Sequence, residues 1–264
     1  MVLCPETTNH GFGRANNLVL EALARETNPP DYVFLLNPDA RIGAGTIPAL
    51  ERFLDAHPQA AIAGPRIRSP EGQAVAAAFR FPSALGEFVA AAAFGPVSRA
   101  FAERLVPLAP DHPTARVGWV SGAAFMARLD ALRAAGGFDP DFFLYYEEVE
   151  LMHRLARAGW QVWHVAEAGV SHVGGAATGI DRTRRRPAYW YDSWHLYFRK
   201  THGRRYAMAA GAAWLGGAIL NHAMSRLRRR PAHAPRHLFG DFWARAGRPL
   251  LGLGPRSLTE HHHG

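Results

Sequence analysis

At Tyr32-Val-Phe-Leu-Leu-Asn-Pro-Asp39, five apolar or aromatic residues run directly into a polar turn. A short apolar run between turn residues predicts a buried β-strand, here 32–36. The residues before it, 14–26, carry apolar side chains at helical spacing behind Gly11 and Gly13, which predicts a helix entered from a glycine-containing turn. A helix that leads into a fully apolar strand indicates a parallel sheet.

The same alternation continues along the chain and predicts an α/β layered fold. Periodicity does not resolve residues 65–114, which stay open. The elements predicted after Asp39 are a helix at 46–56 capped by Thr46, a strand at 60–64, a strand-like run at 117–128, a helix at 130–135 that ends on Gly136-Gly137, a helix at 147–158, and strands at 161–165 and 169–172.

Composition allows a folded protein whose charge is unevenly distributed. The chain has 264 residues, 48% of them hydrophobic, so it is long and apolar enough to bury a substantial core. Its single cysteine, Cys4, excludes an internal disulfide, and its start lacks a signal-peptide pattern, so we expect a cytoplasmic location. Residues 1–181 carry 14 Lys and Arg against 19 Asp and Glu, a net charge of −5, whereas 182–264 carry 16 against 3, a net charge of +13. We predict an α/β domain over 1–181 and a basic, aromatic, mostly helical appendage over 182–260.

The basic tail suits an anionic partner such as a membrane surface, a lipid-linked phosphate or nucleic acid. The alternative is a solvated, Arg-rich surface, since the chain has only one lysine, Lys200. Residues 206–220 are apolar but fall short of the roughly 20 residues that span a bilayer. They predict either a helix on the membrane surface or an ordinary packed helix.

Three short segments carry side chains suited to chemistry. Asp39 follows a buried strand, where a carboxylate can hold Mg²⁺ or Mn²⁺ between two phosphates, although Asn-Pro-Asp is also a common turn. Glu147-Glu148 lies beside an aromatic run that favours burial and a general base, although acidic residues also favour the first turn of a helix. His172 ends a predicted strand before Gly174-Gly175 and is either a ligand or a structural histidine.

Taken in order, these segments resemble the inverting glycosyltransferases of family 2, in particular their rhamnosyltransferase-like branch. The resemblance covers roughly residues 9–203. It rests on Asn9-His-Gly-Phe-Gly-Arg-Ala-Asn-Asn17, Tyr32 to Asp39, Ser121-Gly-Ala, Gly136-Gly-Phe-Asp139, Phe142-Phe-Leu-Tyr-Tyr-Glu-Glu-Val-Glu-Leu-Met-His-Arg154, Val170-Ser-His172 and Tyr197-Phe-Arg-Lys-Thr-His-Gly203.

The resemblance implies a GT-A-like (Rossmann-like) α/β fold, with a mixed, mainly parallel sheet flanked by helices and a C-terminal helical appendage. It implies transfer of a sugar of the rhamnose type from a nucleotide-diphosphate donor to a glycan or lipid-linked acceptor, in cell-surface polysaccharide synthesis at the cytoplasmic face of the membrane. No nucleic-acid partner is expected. The implied roles are Mg²⁺ or Mn²⁺ binding by Asp39 and His172, general-base catalysis by Glu148 or Glu147, donor contacts by Arg14, Asn17, Asn37 and Asp39, and acceptor contacts by Ser121, Gly122 and Asp139.

Two departures from the family pattern bear on activity. The family usually has Asp where this chain has Glu148 and Glu150, and a carboxylate longer by one methylene can displace the base by about 1 Å, at a cost on the order of 100-fold in rate. The family also carries two earlier segments, Thr-Tyr-Asn-like and Asp-x-x-Ser-x-Asp, that recognise the nucleotide base and do not occur before residue 9. The alternatives are therefore a truncated, catalytically silent glycosyltransferase fold that acts as a binding or scaffold protein, or a basic membrane-surface module.

Overall fold

The computed structural model describes residues 5–173, 185–229 and 237–258 and shows the predicted alternation of helices and strands. Its first half contains α1 (Gly11–Ala24), β1 (Tyr32–Leu36), β2 (Ala40–Ile42), α2 (Thr46–Ala56), β3 (Ala60–Arg68), β4 (Ala74–Val75), β5 (Ala78–Phe79), α3 (Ala84–Ala92) and α4 (Gly95–Ala100). Its second half contains β6 (Ala115–Val117), β7 (Trp119–Val120), β8 (Ala124–Arg128), α5 (Leu129–Ala134), α6 (Glu147–Arg157), β9 (Gln161–His172), α7 (Ala188–His202), α8 (Arg204–Leu227), α9 (Leu238–Phe242) and α10 (Arg248–Leu250). The open region 65–114 thus contains the end of β3, short strands and the helices α3 and α4.

A mixed sheet forms the centre of the fold, as the α/β prediction requires. Within the described residues its main strand order is β1-β8-β3-β9-β2, with β4 beside β3 and β6 beside β9. Strands β3 and β9 are parallel, and β1 has the same direction because β8 lies antiparallel between β1 and β3. The other paired strands are antiparallel to their neighbours, so the parallel direction holds for β1, β3 and β9 only.

Two strands differ in length from their prediction. Strand β3 does not end at Gly64 but continues to Arg68. The glycine is needed for close packing against the next layer, since a Cβ here would lie 2.6 Å from the Val120 Cβ. Strand β9 is one strand and not two, because the pairing with β3 shifts register between Pro65–Val165 and Arg66–Gly169, and this bulge takes up the residues between. The run 117–128, in contrast, is divided among β6, β7 and β8.

The helices begin and end close to the predicted residues, with two corrections. Helix α1 begins at Gly11, so the two glycines lie inside the helix and not in a turn before it. The N-cap of α2 is Gly45, with φ +79°, and not Thr46, whose Oγ1 instead donates a hydrogen bond of 2.7 Å to the Gly169 carbonyl. That bond fixes the start of α2 to β9.

The appendage packs against the α/β part through a common hydrophobic core. This cluster joins Phe142 and Val149 to residues of the tail helices, among them Tyr191, Trp194 and Tyr197. Cys4, Gly174-Gly175 and the predicted boundary after residue 181 lie outside the described residues. Through this hydrophobic cluster, the tail helices pack against the residues around the start of α6.

Residues 206–220 lie within α8, where they form a packed helix. Ala207, Ala210, Trp214 and Ala218 are buried, and at Gly217 the helix approaches α3 so closely that a Cβ would lie 2.3 Å from the Phe88 carbonyl oxygen. The packed-helix alternative thus describes this face of α8, while Met208 and Ile219 on the same helix stay exposed. Among the described residues, no helix is long and apolar enough to cross a membrane.

Candidate active site

Asp39 and His172 are brought together by the pairing of two strands. The turn after β1 is fixed by hydrogen bonds from the Asn37 N–H to the Ala123 carbonyl (2.9 Å) and from the Ala40 N–H to the Asn37 carbonyl (3.0 Å). Strand β2 then pairs Ala40 with His172 on β9. As a result, His172 Nε2 lies 3.1 Å from Asp39 Oδ1, and both side chains are mostly buried.

Glu147 and Glu148 occupy the first turn of α6. The two residues before them, Tyr145 and Tyr146, have φ values of +68° and +66°, a left-handed conformation that is rare for bulky side chains and common at functional sites. This turn directs the helix start towards the ends of β1 and β9. Phe142 beside it is fully buried, whereas Phe143 is 40% exposed.

The Asp39–His172 pair and the two glutamates line one small cavity of about 200 Å³. It is lined by seven residues singled out from the sequence, Asn37, Asp39, Ser121, Gly122, Glu147, Glu148 and His172, together with Phe12, Ala123, Leu144 and Tyr145. At Gly122 a Cβ would lie 3.4 Å from Glu148 Oε1, so the glycine lets the β7–β8 turn approach that carboxylate closely. The three segments that were separate in the sequence are therefore neighbours in space.

The two glutamates are electrostatically unusual. Glu147 is buried and Glu148 half-buried, and among the residues that the structure describes neither Oε2 atom has a hydrogen-bond partner. Burial raises the pKa of both carboxyls above the usual range, and the charge of Glu148 raises the pKa of Glu147 further. By contrast, the carboxylate of Glu150 is held by Arg154 at 2.7 Å and 2.9 Å, which is the helix pair expected from the sequence. Only Glu147 and Glu148 of this acidic cluster are thus available to exchange protons within the cavity.

Three other predicted site residues do not line this cavity. The Asn17 side chain forms two hydrogen bonds of 2.8 Å with the backbone of Phe138, so it joins α1 to the segment before α6. Arg14 donates to the Pro140 carbonyl in the same segment. Asp139 forms an ion pair with Lys200 on α7. In the structure, these three side chains make contacts between elements.

Asp39 and His172 offer a carboxylate oxygen and an imidazole nitrogen to a cation. Among the described residues, no group of three or more His, Cys, Asp and Glu side chains is close enough to hold a metal ion. One or two protein ligands are nevertheless common for Mg²⁺ where substrate phosphates and water supply the rest. The donor set therefore fits a divalent cation that binds together with its substrate.

A second, larger cavity of about 410 Å³ was not foreseen from the sequence. It lies beside the first, because Tyr145 and Glu148 line both. Its remaining wall consists of Phe79, Pro82, Glu87, Ala90, Ala91, Val106, Pro107, Trp119, Tyr146, Val149, Arg186, Trp190 and Trp214. Seven of these residues come from 65–114, where periodicity gave no elements, and three, Arg186, Trp190 and Trp214, come from the aromatic tail.

The chain belongs to the glycosyltransferases: a family model described as glycosyl transferase family group 2 matches residues 32–246. It is 31% identical over 246 residues to the N-acetylglucosaminyl-diphospho-decaprenol L-rhamnosyltransferase of Mycobacterium tuberculosis, covering 86% of this chain and 78% of that one. It is 23% identical over 162 residues to rhamnosyltransferase WbbL of Escherichia coli K12, covering 59% of this chain and 58% of that one. A solved structure similar to it is the mannosyltransferase PcManGT of Pyrobaculum calidifontis in complex with GDP-Man and Mn²⁺, with a TM-score of 0.46, 15% identity, and coverage of 85% of this chain and 57% of that one. The predicted family and its rhamnosyltransferase-like branch are confirmed, and the chain is a glycosyltransferase whose described residues form the predicted α/β arrangement around a mixed sheet.

Proposed function

We propose that this chain transfers rhamnose from a nucleotide-diphosphate donor to a lipid-diphosphate-linked glycan in cell-surface polysaccharide synthesis. The observation that carries the proposal is the single cavity that the Asp39–His172 pair lines together with Glu147 and Glu148. The name of the mycobacterial relative, which specifies L-rhamnosyl transfer to N-acetylglucosaminyl-diphospho-decaprenol, supports the choice of sugar and acceptor.

In the proposed reaction, Glu148 acts as the general base. Its carboxylate takes the proton of an acceptor hydroxyl while the hydroxyl oxygen forms a bond to the anomeric carbon of the donor sugar. The bond from that carbon to the diphosphate breaks in the same step, so the nucleoside diphosphate leaves with the bonding electrons and the anomeric configuration inverts. Glu148 is favoured over Glu147 because Glu148 lines both cavities, whereas Glu147 lines only the smaller one.

Asp39 and His172 are the proposed ligands of Mg²⁺ or Mn²⁺. When bound, such a cation supplies Lewis-acid stabilisation of the departing diphosphate. The turn at Asn37 orients Asp39 through its two backbone hydrogen bonds. Ser121 and Gly122 bound the cavity next to Glu148 and leave room for the accepting hydroxyl.

The first experiment measures rhamnosyl transfer by the full chain from a nucleotide-diphosphate rhamnose to a lipid-linked acceptor, as a function of Mn²⁺ concentration. We expect Asp39→Asn to lower kcat/KM by roughly 100-fold and to raise the Mn²⁺ concentration for half activity, because one ligand charge is lost. The control is Asp111→Asn, an exposed carboxylate that lines neither cavity. Equal activity of Asp39→Asn and wild type would remove the metal assignment. Absence of transfer by the wild type with every donor would favour the silent scaffold.

We also infer that the C-terminal segment contacts an anionic membrane, which brings the enzyme to the cytoplasmic face where a lipid-linked acceptor is presented. Trp243, Leu251 and Leu253 are each about half exposed, at 50%, 50% and 48%. Hydrogen bonds from the Leu253 N–H to the Arg248 carbonyl and from the Arg256 N–H to the Ala244 carbonyl hold this segment together. Apolar side chains among basic residues are typical of an interfacial anchor.

A further inference from the structure

The larger cavity has the make-up of a ligand site. Its volume of about 410 Å³ lies within the range of small-molecule pockets, and its wall is apolar and aromatic with few ionisable groups. Phe79 and Trp119 are stacked at a ring distance of 4.0 Å on one part of the wall, and Tyr146 and Trp190 meet edge to face at 6.0 Å on another. The cavity therefore offers flat apolar surfaces in fixed positions.

The acidic and basic side chains that line this cavity are Glu87, Glu148 and Arg186. Glu87 is only 8% exposed, and its Oε2 accepts a hydrogen bond of 3.0 Å from the Trp194 indole N–H, so the other carboxyl oxygen is not taken up by that bond. Burial raises the pKa of Glu87 to about 7, although the Trp194 N–H and the charge of Arg186 lower it. A carboxyl kept at an apolar wall has a desolvation cost that a bound hydroxyl group offsets.

Arg186 supplies the positive charge of the cavity. Its guanidinium carbon lies 3.9 Å from the centre of the Trp190 ring, an arrangement that orients the planar group against the wall. Within 5–173, 185–229 and 237–258, no carboxylate forms an ion pair with it. An oriented guanidinium of this kind matches the oxygens of a phosphate group.

We propose that the larger cavity is the acceptor subsite, which binds the saccharide and diphosphate end of a lipid-linked acceptor and presents its hydroxyl to Glu148. This inference rests on the proposed function. The aromatic rings pack against the C–H faces of the sugar, Glu87 binds a sugar hydroxyl, and Arg186 pairs with the diphosphate. The cavity is too small for a long polyprenyl chain, so the lipid extends out of it.

The test uses two soluble acceptors that differ in one feature: N-acetylglucosamine joined to a decyl chain through a diphosphate, and the neutral decyl glycoside of the same sugar. We expect Arg186→Gln to raise the acceptor KM roughly 10- to 100-fold for the diphosphate compound and less than about twofold for the neutral glycoside, since a charge-assisted contact is lost only in the first. The donor KM stays unchanged. The control is Arg199→Gln, an exposed arginine on α7 that lines neither cavity.

A second measurement separates this subsite from the proposed reaction. Binding of the diphosphate compound to the full chain without donor is followed by calorimetry, with wild type, Arg186→Gln and Glu87→Leu. Weaker binding by both variants supports the subsite even if the wild type transfers no sugar, in which case the proposed function fails alone. Transfer by the wild type with an equal acceptor KM and equal binding in Arg186→Gln overturns the subsite and leaves the proposed function intact. Weaker binding of nucleotide instead of acceptor would assign the cavity to the donor and overturn the proposal.

Discussion

Glu148 differs from the many other carboxylates of this chain in what surrounds it. The left-handed turn at Tyr145 and Tyr146 places it between two cavities. Burial raises the pKa of its carboxyl above the usual range. A base whose pKa lies nearer the working pH combines a useful ionised fraction with a strong pull on the substrate proton. The longer side chain, which replaces the usual Asp of the family, is therefore compatible with catalysis in this environment.

The first prediction concerns the pH dependence of Glu148. Its folded-state pKa is raised, so the carboxylate form is lost as pH falls through a value above the ordinary Glu range of about 4.3, and kcat/KM falls with it. Glu148→Gln should lower kcat/KM by about 10²- to 10⁴-fold and abolish this acidic limb. Glu148→Asp should keep the limb. Rates measured between pH 5 and pH 9, taken as a range of roughly two units on either side of neutrality, provide the check.

Glu103→Gln serves as the matched control for that series, because Glu103 is exposed and lines neither cavity. An acidic limb that persists unchanged in Glu148→Gln would assign the base to another group. Persistence in Glu148→Gln together with its loss in Glu147→Gln would transfer the role to Glu147.

Asn17 is a residue whose contacts the sequence motif does not predict. It belongs to the segment that resembles the family, yet its amide pairs with both backbone groups of Phe138. Residues such as Asp39 and Glu148 were recognisable because a polar side chain followed a buried strand or lay in the first turn of a predicted helix. Whether a polar side chain faces a cavity or a neighbouring backbone depends on how distant elements pack, and local sequence does not contain that information.

Helices α3 and α8 form the closest contact between the appendage and the rest of the chain. Gly217 lies where the two backbones meet, while its neighbour Gly216 has only the Phe88 ring nearby, at 3.8 Å from where a Cβ would be. Ala91 on α3 and Trp214 on α8 both line the larger cavity. The spacing of these helices therefore sets the width of the proposed acceptor subsite.

The second prediction compares these two glycines. Gly217→Ala should destabilise the protein by on the order of 1 to 3 kcal/mol, because the added methyl would lie 2.3 Å from the Phe88 carbonyl oxygen and the helices must move apart. Gly216→Ala should stabilise it by roughly 0.5 to 1 kcal/mol, since alanine is the better helix former and finds an ordinary contact. Urea unfolding midpoints measure both. Equal and small effects would mean that α8 is not held against α3.

The elements that the sequence predicted well are those with a strong local pattern. Strand β1 was predicted to the residue because its five apolar residues are bounded by turn residues on both sides. That β9 is one continuous strand and not two was not predictable, since its bulge depends on the pairing with β3. Helix α3 was missed because its contacts are mainly with α8, more than 100 residues further along, and an Ala-rich segment has little periodicity of its own.

One of the hydrophobic clusters joins the α/β part of the chain to its tail helices. Phe142 and Val149, which lie on either side of Glu147 and Glu148 in the sequence, pack in the same cluster as the tail residues Trp194 and Tyr197. The charge, in contrast, differs between the two parts of the chain, because the excess of arginine lies in residues 182–264. The appendage thus contributes Arg186, Trp190 and Trp214 to the wall of the larger cavity and carries the excess of positive charge.

The third prediction concerns the outer side of the appendage. The full chain should sediment with vesicles of phosphatidylglycerol and phosphatidylcholine more than with phosphatidylcholine alone, and salt should reverse the difference because exposed charges are screened. Trp243→Ser should weaken the binding by about tenfold, in line with the loss of one large apolar side chain. Val19→Ser on α1, at 47% exposure, should have no effect. Binding that ignores both lipid charge and salt would contradict an electrostatic contact.

The pairing of Ala40 with His172 brings Asp39 next to His172, which lies 133 residues further along the chain. A slip of one residue in β9 would turn His172 to the opposite face of the sheet, and the pair would be lost. On the proposed metal assignment, a divalent cation then binds only chains that have assembled in the native register and stabilises them by mass action. The bound cation would therefore stabilise only correctly folded chains. A chain whose β9 is out of register would be inactive and would also lack the stabilisation that the cation provides.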